Sequence, residues 1–428
     1  MTLAGVAEPP AASFTHDLLD ATPIAVLRAI AAVLGVAALG QVPPALVNVA
    51  GGGLAVSTQL RVGWLYTMAG HAVSIAATGS GGSVEGIASG VVGVRLGLLT
   101  VAACAVAMLA IGARAVALRV EDVGARRVIA GSLIALPYAA VVGAVNAGID
   151  LQLHTAGDLL PASTSIEASL AEGFAIPGAI ALVAGLLGGW SVSSSWWDAP
   201  ARAVRAGLRA FSWAIGLSFV AVLSFSALRP EGLERYSVEM WSQGPHRASL
   251  YLGHQILLLP NQAMWVFAPS MGGCVALRVD AAAHDLICLD RIPRGPDPAS
   301  WLFSELGRVQ GTPPTTAMPV AVWLFVAVPA AAVVLGFLSL AHGSRLARRA
   351  LAEGLGGGMV FAALVTVTSL AASLWLTTRD GDLARTVSMG PDPVSTAVLA
   401  LAWGAGGGAL VSVSGPVWRR FSRRVRPR

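Results

Sequence analysis

Residues 90–127 read GVVGVRLGLLTVAACAVAMLAIGARAVALRVEDVGARR. From Gly90 to Ala113 the stretch is apolar apart from Arg95, and it then delivers Arg114, Arg119, Arg126 and Arg127. A helix needs about 20 apolar residues to cross the ~30 Å hydrocarbon layer. Arginines beyond its end resist translocation and so mark the cytoplasmic side. The stretch therefore reads as a membrane span leading into a cytoplasmic turn, and it sets the frame for the rest.

The composition agrees with that frame. The 428 residues are 55% hydrophobic and 12% charged, where soluble domains carry about 25% charged residues, and the mean hydropathy is +0.70. A cytosolic enzyme with a membrane tag, a disordered chain and a disulfide-dense secreted scaffold (3 Cys) are excluded as classes. Every basic residue is Arg, which we read as coding bias. Residues 1–20 hold Glu8, Asp17 and Asp20 but no Arg. A signal peptide would open with a basic segment, so the first apolar stretch is expected to stay as an anchor.

Reading outward from residues 90–113 gives eight spans, near 22–40, 90–113, 128–148, 173–192, 211–228, 319–341, 356–376 and 394–415. Their connections alternate in charge. Arg202, Arg205 and Arg209, then Arg345, Arg348 and Arg349, then Arg419, Arg420, Arg423 and Arg424 occupy one side with the Arg114–Arg127 turn. Asp150, Asp158, Glu167 and Glu172, then Asp380, Asp382 and Asp392, occupy the other. Both termini then lie in the cytoplasm. Val56–Ala77 and Ser249–Cys274 are apolar but interrupted by polar groups, and they read as external re-entrant or interfacial segments, since backbone at membrane depth must be helical or buried in protein.

The same sequence of features occurs twice, so the expected fold is an all-α polytopic membrane protein of two parallel four-helix halves, 1–205 and 206–428. Leu65-Tyr66 with Gly70-His71 faces Leu250-Tyr251 with Gly253-His254, about 185 residues on. The second half carries an external insertion at about 272–311.

Little in the chain suggests chemistry. No Asp, Glu or His stands near the middle of a span, where ionisable groups usually mark function, so no catalytic, metal or cofactor residues are nominated. Tyr66, His71, Tyr251, His254, Pro260, Asn261 and Trp265 form the candidate pathway or external segment. Cys274 and Cys288, on the expected oxidising side, form a candidate disulfide; a metal site from these cysteines with His246, His254, His284 and Asp285 lacks ligand-like spacing. Trp196 and Trp197 with Arg202, Arg205 and Arg209 read as a short amphipathic helix at the cytoplasmic membrane surface. The tail Arg419–Arg424 is expected at the same anionic headgroups rather than on nucleic acid. The Gly-x-x-x-Gly pairs at 93/97, 185/189, 354/358 and 404/408 allow close helix approach.

Leu257-Leu258-Leu259-Pro260-Asn261-Gln262-Ala263-Met264-Trp265 resembles a Leu-Pro-Asn-x-x-x-Trp stretch of an uncharacterised actinobacterial multi-pass membrane family with members linked to cell division. Trp64-Leu65 through His71-Ala72-Val73 is similar to an earlier segment of that family. Where the family has a Gly-Pro-Gly-Phe-like turn, this chain has Ser270-Met271-Gly272-Gly273-Cys274. The resemblance covers about 20 residues and implies an envelope or division-associated role in the bacterial inner membrane, with no catalytic residues. The expectation is a non-enzymatic membrane scaffold, with a partner meeting its external loops. The alternative is a permease or lipid-translocating transporter with its pathway between the halves.

Overall fold

The structure, a computed structural model, describes residues 11–80, 90–120, 124–154, 163–192, 198–228, 244–280, 282–289, 291–293, 315–317, 324–343, 346–380 and 383–415. In chain order, the first part consists of α1 (Ala11–Gly40), α2 (Val42–Val49), α3 (Val56–Gly70), β1 (Ile75–Ser80), β2 (Gly90–Leu96), α4 (Leu99–Ala117), α5 (Ala125–Ser132), α6 (Ala135–Ala147), β3 (Leu151–His154), β4 (Ser163–Ala168) and α7 (Leu170–Trp190). There follow α8 (Asp198–Leu228), α9 (Pro245–Ser270), β5 (Cys274–Val279), β6 (Ala282–Cys288), β7 (Arg291–Pro293), β8 (Thr315–Ala317), α10 (Ala327–Gly343), α11 (Ala347–Ala372), β9 (Leu374–Asp380), β10 (Leu383–Pro391) and α12 (Pro393–Leu401). A π-helical turn, Ala402–Gly407, continues α12.

Among the described residues, seven helical stretches are long and apolar enough to cross a membrane: Phe14–Gly40, Leu99–Ala117, Ala125–Ala147, Leu170–Trp190, Leu324–Ala341, Ala347–Ala372 and Pro393–Gly415. The chain is an integral membrane protein by this measure. The eighth expected span, 211–228, is the second part of α8, which is one helix of 31 residues. The separate amphipathic helix expected around Arg202–Arg209 is thus corrected. Gly207 lies within α8 and packs on the Gly357 carbonyl, where a Cβ would stand 2.4 Å away.

The helices pack through small residues. A Cβ on Gly131 of α5 would stand 2.5 Å from the Gly185 carbonyl of α7, and one on Gly354 of α11 2.6 Å from the Gly408 carbonyl beyond α12. Backbone approach of this kind gains dispersion contacts where lipid supplies no hydrophobic drive. The pair at 93/97 differs, because Gly93 is in a strand and Gly97 precedes α4. There a Cβ on Gly97 would press on the Ala371 carbonyl at 2.5 Å.

Above one end of the helices lies an element that the periodicity did not announce. Eight strands form one antiparallel sheet in the order β3-β4-β1-β2-β9-β10-β5-β6. The expected span at 90–113 is corrected accordingly: Gly90–Leu96 is strand β2, and the helix begins at Leu99. The span expected to 376 ends at Ala372, and Leu374 opens β9. Of the insertion expected at 272–311, residues Cys274–Cys288 are the sheet strands β5 and β6, while 294–314 lie outside the described residues.

Side chains alternate across the sheet, as the pleat dictates. Ile75, Val94, Leu376, Val387 and Val279 follow one another from strand to strand on one face. On the other, Arg95 pairs with Trp375 and Gly93 with Thr377, and Arg95, Trp375, Thr377 and Glu167 are exposed.

The order β3-β4-β1-β2 recurs as β9-β10-β5-β6, and details recur with it. Leu151 pairs with Ile166 as Leu374 pairs with Met389, and Ile75 pairs with Ala168 as Val275 pairs with Pro391. Both α3 and α9 end in a Schellman turn. Val73 and Ala72 N–H donate to the Met68 and Ala69 carbonyls at 3.1 and 2.8 Å, and Gly273 and Gly272 donate to Ala268 and Pro269 at 3.0 and 2.8 Å. The left-handed residue is Ala72 (φ 58) in the first turn and Gly272 (φ 100) in the second. The N-caps of α7 and α12 match as well. Ser169 N–H donates to the Ser74 carbonyl at 2.9 Å, and Asp392 N–H to the Cys274 carbonyl at 3.0 Å.

These turns also show that the short likeness of Tyr66 and His71 to Tyr251 and His254 is out of register. The turn at Ala72 corresponds to the one at Gly272, so His71 corresponds to Met271, and His254 lies nearly five turns earlier on α9.

Candidate functional site

Helix α9 joins the two groups of helices. Its Asn261, 3% exposed, accepts from Leu99 N–H at 3.0 Å through Oδ1 and donates to the Gly97 carbonyl at 2.6 Å through Nδ2. Leu99 opens α4, whose first N–H groups have no partner inside the helix, so one amide from α9 caps a helix of the first group. Four residues on, Trp265 Nε1 donates to the Ala372 carbonyl at the end of α11 at 3.0 Å. Pro260 lacks an N–H and so leaves a carbonyl one turn earlier without its helical donor. Thr100 Oγ1 lies 3.5 Å from that Ile256 oxygen and donates to the Leu257 carbonyl at 2.8 Å.

The other expected residues extend this polar seam. Tyr66 Oη and His254 Nε2 are hydrogen-bonded between α3 and α9, with ring centroids 4.9 Å apart. His71 is 1% exposed. Its Nδ1 is 2.8 Å from the Thr67 carbonyl, which can only accept, so Nδ1 carries the proton and Nε2 accepts from the Tyr138 hydroxyl at 2.8 Å. Burial pushes the His71 imidazole below its usual pKa, opposed in part by the Thr67 carbonyl. The Tyr251 side chain lies outside the described residues. Around the seam, Met68, Leu257 and Met264 are fully buried. The seam is thus packed among apolar side chains, and its hydrogen-bonding groups are turned on one another.

The ends of the helices beneath the sheet carry a second cluster. Asp392 caps α12, accepting from Ser395 N–H at 2.8 Å, and pairs with Arg278 of β5. Burial would raise its pKa, but the Ser395 N–H and the Arg278 guanidinium outweigh it and hold the carboxyl below the usual range. Cys274 and Cys288 stand opposite each other on β5 and β6 and are disulfide-bonded, with Cα atoms 4.5 Å apart. Asp285 adds a third metal-ligating atom beside them, but sulfurs bonded to each other are not thiolates, and thiolate is the ligand form. His254 is spent on Tyr66, and among the described residues the histidines do not join the cysteine cluster.

At the opposite end, Arg202 is partly exposed but turns its guanidinium inward. It reaches Glu353 of α11 at 2.5 Å, and Arg349 reaches the same carboxylate at 3.0 Å, leaving Glu353 4% exposed. The spacing of Arg349 and Glu353 on one helix face was the available sequence signal, and it was missed because Arg202 is remote in sequence. Arg205 and Arg209 remain exposed and line an open groove along α8 with Trp213 and Gly216. Trp196, Trp197 and Arg419–Arg424 lie outside the described residues.

No protein-family model, curated protein or solved structure matches the chain.

Proposed function

We propose that this protein is a non-enzymatic scaffold of the bacterial inner membrane, built from a duplicated four-span half, with both termini in the cytoplasm and the sheet on the envelope side. The observation that carries the reading is the sheet itself. It runs unbroken across both groups of helices, through seven paired residues from Gly90↔Asp380 to Leu96↔Leu374. A permease has to move its halves against each other to alternate access; a ladder of this length and a shared helix cap at Asn261 oppose that motion.

The repeated strand order, the repeated Schellman turns and the repeated cap contacts support the duplication. With Cys274–Cys288 matched to the strand pair β1–β2, the inserted segment shrinks to the residues after Cys288. The charge alternation supports the orientation, and it puts Arg205 and Arg209 at anionic headgroups on the cytoplasmic side. The resemblance around Pro260, Asn261 and Trp265 favours an envelope or cell-division setting, with a protein partner meeting the exposed face near Arg95, Trp375 and Thr377.

Thiol accessibility tests the reading in whole cells. A cysteine replacing Arg385 on β10 is expected to react with an impermeant maleimide, one replacing Arg348 to stay unlabelled until the membrane is opened, and one replacing Leu257 to stay unreactive to small methanethiosulfonates. Reversed labelling of the first two would overturn the orientation. Rapid reaction at position 257 would reveal water in the seam and restore the permease.

A further inference from the structure

Helix α8 has a counterpart in α1, and the two differ on their exposed sides. A Cβ on Gly112 of α4 would stand 2.9 Å from the Arg28 Cβ of α1, and one on Gly336 of α10 2.4 Å from the Ala210 Cβ of α8. The step from 28 to 210 is 182 positions, and the buried residues keep it. Ala21, Ala25, Ala32 and Val36 of α1 answer to Ala203, Gly207, Ala214 and Ser218 of α8.

On the exposed side the same step turns Val26, Leu27, Ile30, Ala31 and Leu34 into Leu208, Arg209, Ser212, Trp213 and Gly216, and all ten are exposed. The α1 face is a flush aliphatic surface. The α8 face carries a guanidinium, a hydroxyl, an indole and, at Gly216, no side chain. Nothing lies within 4 Å of a Cβ built at Gly216. The basic residue of α1, Arg28, lies one position on, with its Cβ and Cγ turned to Gly112.

The α8 residues line a groove of about 510 Å³ with Arg205 at its head, a volume within the ~300–1,000 Å³ of small-molecule sites. They recur at steps of three and four and so make one stripe down the helix. From Arg209 to Gly216 the stripe descends about 10 Å, from the level where Arg and Trp meet headgroups to that of the acyl chains. A guanidinium binds a phosphate through charge-assisted hydrogen bonds. Trp213, 47% exposed, has an indole N–H to donate to an ester oxygen, and the gap at Gly216 admits a chain. The arginines call for an anionic occupant. The tail Arg419–Arg428 holds only arginines as charged side chains and has no anion to place there.

We propose that this groove seats one anionic phospholipid of the cytoplasmic leaflet, its phosphate on Arg209 beside Arg205 and one acyl chain laid past Trp213 into the gap at Gly216. The proposal rests on the reading that puts the start of α8 at the cytoplasmic headgroups. It turns a general attraction into a seat that α1 lacks.

Native mass spectrometry of the full chain in mild detergent tests it, with phosphatidylglycerol and phosphatidylcholine of the same acyl chains added in equal amounts. One phosphatidylglycerol is expected to stay bound in preference. Arg209→Gln should weaken it about fivefold, the share of one Arg near an anionic surface. Gly216→Leu, which fills the groove and leaves every charge, should weaken it at least as much, while Leu27→Gln at the counterpart on α1 changes nothing. Equal retention of both lipids, or of neither, would overturn the proposal. So would a loss with Arg209→Gln but not with Gly216→Leu, which leaves only diffuse attraction, or a dimer that Gly216→Leu splits, which makes the occupant a second copy. Fluorescence of the unsubstituted groove gives a second readout: phosphatidylglycerol brominated on its acyl chains should quench the native chain more than Trp213→Phe, and equal quenching would also overturn the seat. Retention in detergent does not depend on orientation, so reversed maleimide labelling would remove the cytoplasmic placement and leave the lipid result to be read by itself.

Discussion

Asn261 shows how much of the junction hangs on one side chain. Its amide satisfies a donor and an acceptor at the start of α4 in a place where water does not reach. Replacing it with Leu leaves both backbone groups unpaired, at about 1–3 kcal/mol each. Asn261→Leu is therefore expected to cost about 2–6 kcal/mol, read as a large fall in the thermal midpoint of the detergent-solubilised protein. An unchanged midpoint would mean that water reaches these groups after all. The residue stood out in the sequence as a polar group in an apolar stretch. Its role did not, because Gly97 and Leu99 are more than 160 residues away along the chain.

At the scale of the element, Asp392 links helix to strand. Its carboxylate caps α12 and pairs with Arg278 of β5, so its folded pKa lies below the unfolded value. The stabilisation it supplies is complete above that unfolded value, the model-peptide 3.8, and is lost as pH falls through the lower folded value. The pH profile of unfolding should thus decline more steeply below about pH 4 in the native chain than in Asp392→Asn. Equal slopes would remove Asp392 from the account. A cap residue before a span was legible, since Asp392 precedes Pro393 and an apolar run. The ion pair was not, because Arg278 sits in a stretch set aside as an insertion.

For the whole molecule, the question is whether either group of helices stands alone. Each leaves a strand edge unpaired without the other, β2 in one case and β9 in the other. The first group also loses the Asn261 cap of α4. Co-expressed fragments 1–192 and 198–428 are expected to copurify in equal amounts, and either alone to aggregate or be degraded. Two fragments that fold separately would reduce the junction to a contact of convenience. The repeated strand order was not legible in the sequence, and the matched His and Tyr residues of the two segments are out of register with the repeated turns.

What the sequence determined by itself is the membrane character, the apolar helices and the alternation of arginine and acid between them. Those signals are local: hydropathy accumulates over twenty neighbouring residues, and charge collects in short turns. Only the tertiary structure decided the sheet, the merging of the amphipathic segment into α8 and the pairing of Arg202 with Glu353. Strands of four to nine residues, rich in Gly, Ala, Thr and Ser, carry little periodicity. Their stability comes from partners as distant as Gly93 and Thr377, and such pairing exists only once the chain has folded.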